Sequence, residues 1–337
     1  MPMDIIEKKI DVPFFSSEIY DSYFADMKTA VFDIETTGLN PEKDFFILAG
    51  FLLPGQGGHT VRQYFAASLS EEPDVVAAAV NEIKDLDAVV TYNGNSFDIP
   101  FTAVRTRRNN IPPATFPCSL DIYSLVRNYS PVKKFLPNLK QKTLEDFLGL
   151  WESREDRISG AESVSMYCEY LSRHDPDLKE KILLHNSDDV AQLYRLLKIT
   201  EKTDFHKAMF YMGFPVRSGI WSGYIKDLKF SGDKLYISGV QRKNPLDYSC
   251  FGEEPDSFSC SFRHRSQTFS IHMLLHSEQK YIFADLRAAD MDETPYCRYP
   301  FFENGCLILK TPDRINYQET NHFIKDFLER TIVKWII

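Results

Sequence analysis

Two acids, Asp33 and Glu35, stand one residue apart in VFDIETTGL (31–39), at the end of the apolar run Ala30-Val31-Phe32. In a β-strand, residues two apart share a face, so both carboxylates project from one side. Carboxylates are seldom buried unless paired or bound to a metal. Two on one face repel each other, and a hard divalent cation with oxygen ligands removes the repulsion. A third acid, Asp98, follows the apolar strand 88–92 and the turn Asn93-Gly94-Asn95-Ser96, where a helix should begin. An Asp there is by default a cap. Its place directly after a strand and turn, with the amides of Asn93 and Asn95 at the same edge, argues for a partnership with the first two acids. A fourth comes from LKEKILLHNSDDVAQLYRLLKIT (178–200). Ile182, His185, Asp189, Leu193 and Leu196 fall on one helical stripe, and the leucines turn that stripe inward. His185 and Asp189 then sit one turn apart at the edge of a buried face, and Asp188 is left to solvent.

Four acids from three elements suit a two-metal site, with cations ~3.5–4 Å apart holding the attacking and leaving oxygens of an in-line phosphoryl displacement. Mg²⁺ binds such sites through a few carboxylates plus substrate phosphates. His185 suits the general base for the attacking water, since its ordinary pKa is about 6.5.

The elements that must position these groups are legible in outline. Residues 1–29 read as a short lead-in with one helical turn capped by Ser16 or Ser17. The acidic strand, DFFILAGFLL (44–53) and HTVRQYFA (59–66) are joined by short turns, which predicts an antiparallel meander. Val75, Val76, Ala79, Val80 and Ile83 predict a helix over 71–85. A helix over 101–110 carries Arg105, Arg107 and Arg108 and ends before Pro112-Pro113. The segment 120–129 reads as a helix. Lys133, Lys134, Lys140 and Lys142 with Arg127 form a basic run, a short helix starts at Thr143, and another covers 163–173. Beyond about Lys207 the pattern changes. A hairpin spans 224–240. SFSCSFRHR (257–265) alternates Phe258, Cys260, Phe262 and His264 with serines, Arg263 and Arg265. Further strands at 268–275 and 280–286, a hairpin at 303–305 and an amphipathic helix at 316–337 complete an α+β module. The expected division is 1–205 and 206–337.

Composition bounds the function. A chain of 337 residues fits about two domains. No apolar run approaches the roughly 20 residues of a membrane span, and the N-terminus does not read as a signal peptide. Six scattered cysteines without a CxxC pair argue against a zinc site or disulfide scaffold, so the expected location is a reducing cytoplasm. The net charge of −9 disfavours nonspecific coating of nucleic acid. It leaves room for a local basic groove beside an acidic metal site.

The three motifs resemble a known family. DIETTGL, YNGNSFDIPF and HNSDDV are similar to the DnaQ-like, four-acid 3′–5′ exonucleases of the ribonuclease H-like superfamily. The second motif resembles the proofreading exonuclease of family B DNA polymerases, and the whole set is most similar to the bacterial YprB-like group. The resemblance covers about residues 28–200. It implies an α/β, ribonuclease H-like mixed sheet flanked by helices, with two Mg²⁺ or Mn²⁺ ions on Asp33, Glu35, Asp98 and Asp189. It implies a substrate with single-stranded DNA or RNA 3′ ends, contacted by Thr36, Thr37, Gly38, Leu39, Asn93, Asn95 and Phe97, with Arg105 nearby. In that superfamily the base is a His five residues before the last Asp or a Tyr four before it. Here His185 stands four before Asp189, in the Tyr position. A non-catalytic nucleic-acid-binding module or a structure-specific endonuclease on the same fold are the competing readings. In the C-terminal module, Arg242, Lys243, Arg263 and Arg265 are expected either to extend a nucleic-acid groove or to serve a structural or partner-binding role.

Overall fold

The computed structural model describes residues 3–55, 57–113, 115–150, 154–156, 158–242, 246–252 and 257–335. The chain divides into two compact units, 1–24 with 28–203 and 25–27 with 204–337.

The first unit contains β1 (Asp4–Ile10), α1 (Glu18–Phe24), β2 (Thr29–Thr36), β3 (Phe46–Gly55), β4 (Gly58–Phe65), α2 (Glu72–Ile83), β5 (Ala88–Thr91), α3 (Asp98–Arg108), β6 (Cys118–Asp121), α4 (Ile122–Tyr129), α5 (Gln141–Phe147), α6 (Gly160–Arg173) and α7 (Pro176–Arg195). Its sheet has the order β1-β4-β3-β2-β5-β6. The strands β1, β4, β3 and β2 pair antiparallel, and β2, β5 and β6 pair parallel. The expected mixed α/β sheet is present, with the meander of β2, β3 and β4 inside it.

Strand alternation decides where the acids point. Phe32 and Ile34 of β2, with Ala49 and Phe51 of β3, pack on Val75, Val76, Ala79 and Ile83 of α2 and on Phe101 of α3. On the opposite face, Leu48 and Phe65 meet Tyr167 and Tyr170 of α6 and Ile182 of α7. Asp33 is register partner to Gly50, and Glu35 to Leu48. Both acids therefore face α6 and α7. Gly50 lets α7 come close: a Cβ there would lie 1.9 Å from the Asn186 side-chain oxygen.

A second consequence concerns Asp98. The ladder of β2 with β5 covers only Thr29–Val31 against Ala88–Val90. Strand β5 then ends, while β2 runs on to Thr36 without a neighbour on that side. The freed Ile34 N–H donates to Asp98 Oδ1 at 3.1 Å. Buried backbone donors need partners, and this one draws the carboxylate at the start of α3 to the acidic strand. Asp98 is therefore no helix cap.

Two expectations need correction. The lead-in contains a full edge strand: Asp4–Ile10 pairs along β4 from Phe65 to His59. Its polar DIIEKKI sequence hides it, because edge strands carry charge. The segment 120–129 begins as strand β6, and Asp121 caps α4 by accepting from the Tyr123 and Ser124 N–H groups.

The second unit contains α8 (Phe205–Met212), β7 (Phe214–Ser218), β8 (Trp221–Ser231), β9 (Lys234–Arg242), β10 (Tyr248–Phe251), β11 (Phe258–Arg263), β12 (Thr268–Leu274), β13 (His276–Glu278), β14 (Tyr281–Asp285), β15 (Phe302–Glu303), β16 (Cys306–Lys310) and α9 (Tyr317–Trp335). One antiparallel sheet has the order β10-β11-β12-β9-β8-β7, and a second has β13-β14-β16-β15. Phe323, Ile324, Leu328 and Ile332 form the buried face of α9. Cys260 and Phe262 are buried as the alternation requires, but His264 lies past β11 in an exposed turn. Lys243 lies outside the described residues. Among the described residues, no helix is long and apolar enough to cross a membrane.

Candidate active site

Strand β2 and helices α6 and α7 bring the acids to one pocket of about 810 Å³, whose walls include Asp33, Glu35, Leu39, Phe97, His185 and Asp189. One ligand atom each from Glu35, His185 and Asp189 lie within 4.8 Å of one another. His185 Nε2 is 3.7 Å from Glu35 and 3.6 Å from Asp189. Asp33 accepts from the Asn186 amide at 2.9 Å, and Glu35 from the Ser163 hydroxyl at 3.1 Å. Asp98 lies beneath them, buried on the Ile34 N–H.

The electrostatics are those of like charges crowded out of water. Burial pushes the Asp33 carboxyl well above its ordinary range, and the charges of Asp98, Asp189 and Glu35 push it further. Burial lifts Glu35 to about 7, with His185 opposing and Asp189 adding to the rise. Burial also lifts Asp98 to about 7, against the hydrogen bonds from its own backbone and from Ile34. Each carboxyl resists ionisation chiefly because burial disfavours its charged form.

His185 is oriented from behind. Its Nδ1 lies 2.6 Å from Asp156 Oδ2. With the proton on Nδ1 donated to that carboxylate, the Nε2 lone pair faces Glu35 and Asp189. Burial lowers the His185 pKa, but the carboxylates of Asp189, Glu35 and Asp156 outweigh it and raise it. Burial raises Asp156, but its bond to His185, the Ile158 N–H and Lys142 bring it below its ordinary value. Asp156 is itself held by Arg154, whose side chain is fully buried. The Arg154 guanidinium donates to both oxygens of Glu145, at 2.9 and 2.8 Å, and to Asp189 Oδ1. One buried cation thus ties the segment before α6 to α5 and to the last acid of the site.

These supports escaped sequence reasoning. Arg154 and Asp156 lie in a non-periodic stretch and act across 35 and 29 residues of chain. The capping pair Ser159 and Glu162, which starts α6, was the available sign of a defined entry into that helix. Asn186 is buried beside His185 and receives a hydrogen bond from Gln63. A buried amide next to a site histidine was a signal in principle. Asp188 is not left to solvent, since it accepts from the Glu155 and Asp156 N–H groups.

The other named residues are spread around the pocket. Leu39 is 83% exposed at its edge. Thr36 donates to the Gly38 carbonyl at 2.7 Å, and Thr37 accepts from the Phe45 N–H. Gly38 is packed against Asp44, where a Cβ would clash. The Asn93 and Asn95 N–H groups donate to Asp121, and Asn93 has φ of 61°. Phe97 packs on Phe101. Arg105 is the exception: it is buried, donates through Nε to Glu72 at 2.7 Å in a paired ion bridge, and lies over the Phe45 ring. Its guanidinium is consumed in holding α3 to α2, so the expected substrate contact is withdrawn.

Comparison with known proteins places the first unit. Residues 30–200 match the family model of the RNase_H superfamily. The chain is 27% identical over 188 residues to the uncharacterized protein YprB of Bacillus subtilis (strain 168), across 49% of this chain and 40% of that protein. It therefore spans less than half the length of that relative. Among solved structures, the family B DNA polymerase of Pyrobaculum calidifontis superposes with a TM-score of 0.42 at 19% identity, over 51% of this chain and 24% of that one. E. coli exonuclease I in complex with a 5cy-dA13 oligonucleotide superposes with a TM-score of 0.34 at 13% identity, over 62% and 54%. With about half of its length matched to the family model, the chain belongs to the RNase_H superfamily.

Proposed function

We propose that this chain is a metal-dependent 3′–5′ exonuclease acting on single-stranded nucleic-acid ends. The observation that carries the reading is the convergence of Glu35, His185 and Asp189 in one pocket, with Asp33 and Asp98 buried close enough to Glu35 for the like charges to raise their carboxyls. Membership of the RNase_H superfamily supports a nuclease.

The donor set fits hard divalent cations. It consists of carboxylate oxygens, and burial holds those of Asp33, Glu35 and Asp98 above their ordinary pKa values. Asp33, Glu35, Asp98 and Asp189 are the residues to hold Mg²⁺ or Mn²⁺. Such ions, when bound, stabilise the attacking and leaving oxygens of a phosphoryl displacement. The chain's own part follows from the geometry. His185 Nε2 takes a proton from the attacking water, with Asp156 holding the tautomer from Nδ1. The new bond forms between the water oxygen and phosphorus. The bond to the 3′ oxygen of the preceding nucleotide breaks, and that oxygen leaves with a proton, releasing a nucleoside 5′-monophosphate. Arg154 keeps Asp189 aimed at the pocket. Leu39 supplies an apolar edge for the terminal base, and Lys140, which also lines the pocket, is placed to meet the phosphates.

Digestion of strands labelled at the 5′ or the 3′ end, with Mg²⁺ or Mn²⁺, tests this. The wild type should shorten a 5′-labelled strand one nucleotide at a time and release label from a 3′-labelled strand at once. Asp33→Asn should lose at least on the order of 10²-fold in rate. Equal digestion by both proteins would refute the site, and internal fragments from both labels would indicate an endonuclease.

A further inference from the structure

We propose that the outward face of the six-stranded antiparallel sheet in the second unit is a single-stranded nucleic-acid platform. Bases stack on Tyr236 and His272, and phosphates meet Lys229, Lys234 and Arg263. The choice of nucleic acid as occupant rests on the nuclease reading of the first unit.

The argument begins with alternation. The inward positions of this sheet are apolar and buried: Leu235 and Ile237 on β9, Phe269 and Ile271 on β12, Cys260 and Phe262 on β11. The outward positions fall into transverse rows set by register. One row reads Ser249, Ser261, Ser270, Ser238, Asp227 across β10, β11, β12, β9 and β8. The adjacent row reads Phe251, Ser259, His272, Tyr236, Lys229 across the same strands. Flat rings and hydroxyls thus lie side by side over five strands.

The rings are built for stacking rather than for a core. Tyr236 is 41% exposed and Phe251 is 71% exposed. The Tyr236 and His272 rings lie side by side, with centroids 5.8 Å apart and planes inclined at 29°. Ser259 fixes the imidazole through a 2.7 Å bond to Nδ1. Beside them the face dips into a hollow of about 530 Å³, which Lys229, Ser238 and Ser270 also line. Exposed rings on a sheet with serine hydroxyls beside them can stack bases and exchange hydrogen bonds with their edges.

Charge selects the occupant. In these rows and their immediate register neighbours, Lys229, Lys234 and Arg263 stand against two acids among the described residues, Asp227 and, beside Arg263, Asp247, which accepts from the His264 N–H. The protein as a whole has a net charge of −9. A local cationic face on an acidic chain fits a polyanion. An amphipathic helix would need a continuous apolar stripe, which the serine row denies it.

The test uses the full chain, with EDTA present so that no strand is hydrolysed. Binding of fluorescent oligo-dT and oligo-U strands is followed by anisotropy. Tyr236→Ala should weaken binding about ten-fold, and Tyr236→Phe, which keeps the ring, should not. Lys229→Ala with Lys234→Ala should flatten the slope of log affinity against log salt by about 1.4, at ~0.7 per phosphate contact. Strands carrying iodouracil should photo-cross-link to peptides containing Tyr236 or Phe251. Wild-type affinity in Tyr236→Ala, with cross-links confined to residues 28–203, would overturn it, a thermal melt confirming that the variant is folded. The two readings fail separately. A chain that binds through Tyr236 but hydrolyses nothing overturns the nuclease alone. A chain that hydrolyses strands but ignores Tyr236 overturns the platform alone.

Discussion

The two six-stranded sheets treat polarity in opposite ways. In the first unit, Asp33, Glu35 and Asp98 are drawn into the layer between sheet and helices, where burial lifts each carboxyl above its ordinary range. In the second, the inward layer is apolar and the serines, His272 and Tyr236 are turned outward. A buried group of like charges is destabilising without a counter-ion, so its presence points to a ligand inside the fold. An outward polar face with exposed rings costs the fold little and points to a ligand on its surface. The contrast also explains Arg154. Among the described residues of the first unit it is a fully buried cation set against Glu145, Asp156 and Asp189.

The largest expected effect breaks that compensation. Arg154→Met should destabilise the protein by about 3–5 kcal/mol, since Glu145 and Asp156 lose their buried partner. Chemical denaturation would show it as a lower midpoint. A loss under 1 kcal/mol would mean that the carboxyls protonate or hydrate at little cost.

Smaller and sharper is Asp156→Asn. The amide can still approach His185 Nδ1 but no longer holds the proton there as a carboxylate does. The rate should fall about 10- to 100-fold, with KM little changed. A rise in KM at constant kcat would assign Asp156 to substrate binding instead.

The mildest effect is on pH dependence. Glu35 ionises near 7 in the folded protein and near 4.3 when unfolded. Between these values the folded state holds the extra proton, so stability of the metal-free protein falls as pH rises from about 4 to 7 and levels above. Asp98, at about 7, has the same sign. His185, also raised, loses its contribution as pH rises above its unfolded value, which again has the same sign. Melting temperature against pH should therefore slope downward over this range, and Glu35→Gln should flatten it. An unchanged slope in that variant would place the cost of ionisation elsewhere.

Local periodicity carried much of this in the sequence. Period two placed Asp33 and Glu35 on one face, and the helical stripe placed His185 and Asp189. The meander of the first unit and the hairpins of the second followed from turns and alternation, and the mixed sheet from the resemblance of the three motifs to a known family. What stayed hidden acts across long sequence distances. Arg154 and Asp156 have no periodic context, and their partners lie on other elements. Arg105 misled because a basic helix gives no sign that Glu72, on α2, already claims its guanidinium. Strand β1 misled because an edge strand need not be apolar.

The central claim is that the buried acids form a divalent-cation site, and thermal unfolding with and without Mn²⁺ tests it most directly. Without metal, Asp33→Asn should melt above the wild type, because the cost of burying or protonating that carboxyl is gone. With saturating Mn²⁺ the wild type should gain stability as binding to the folded state requires, while Asp33→Asn gains little. Equal melting of the two proteins without metal, and an equal Mn²⁺ shift in both, would contradict the account.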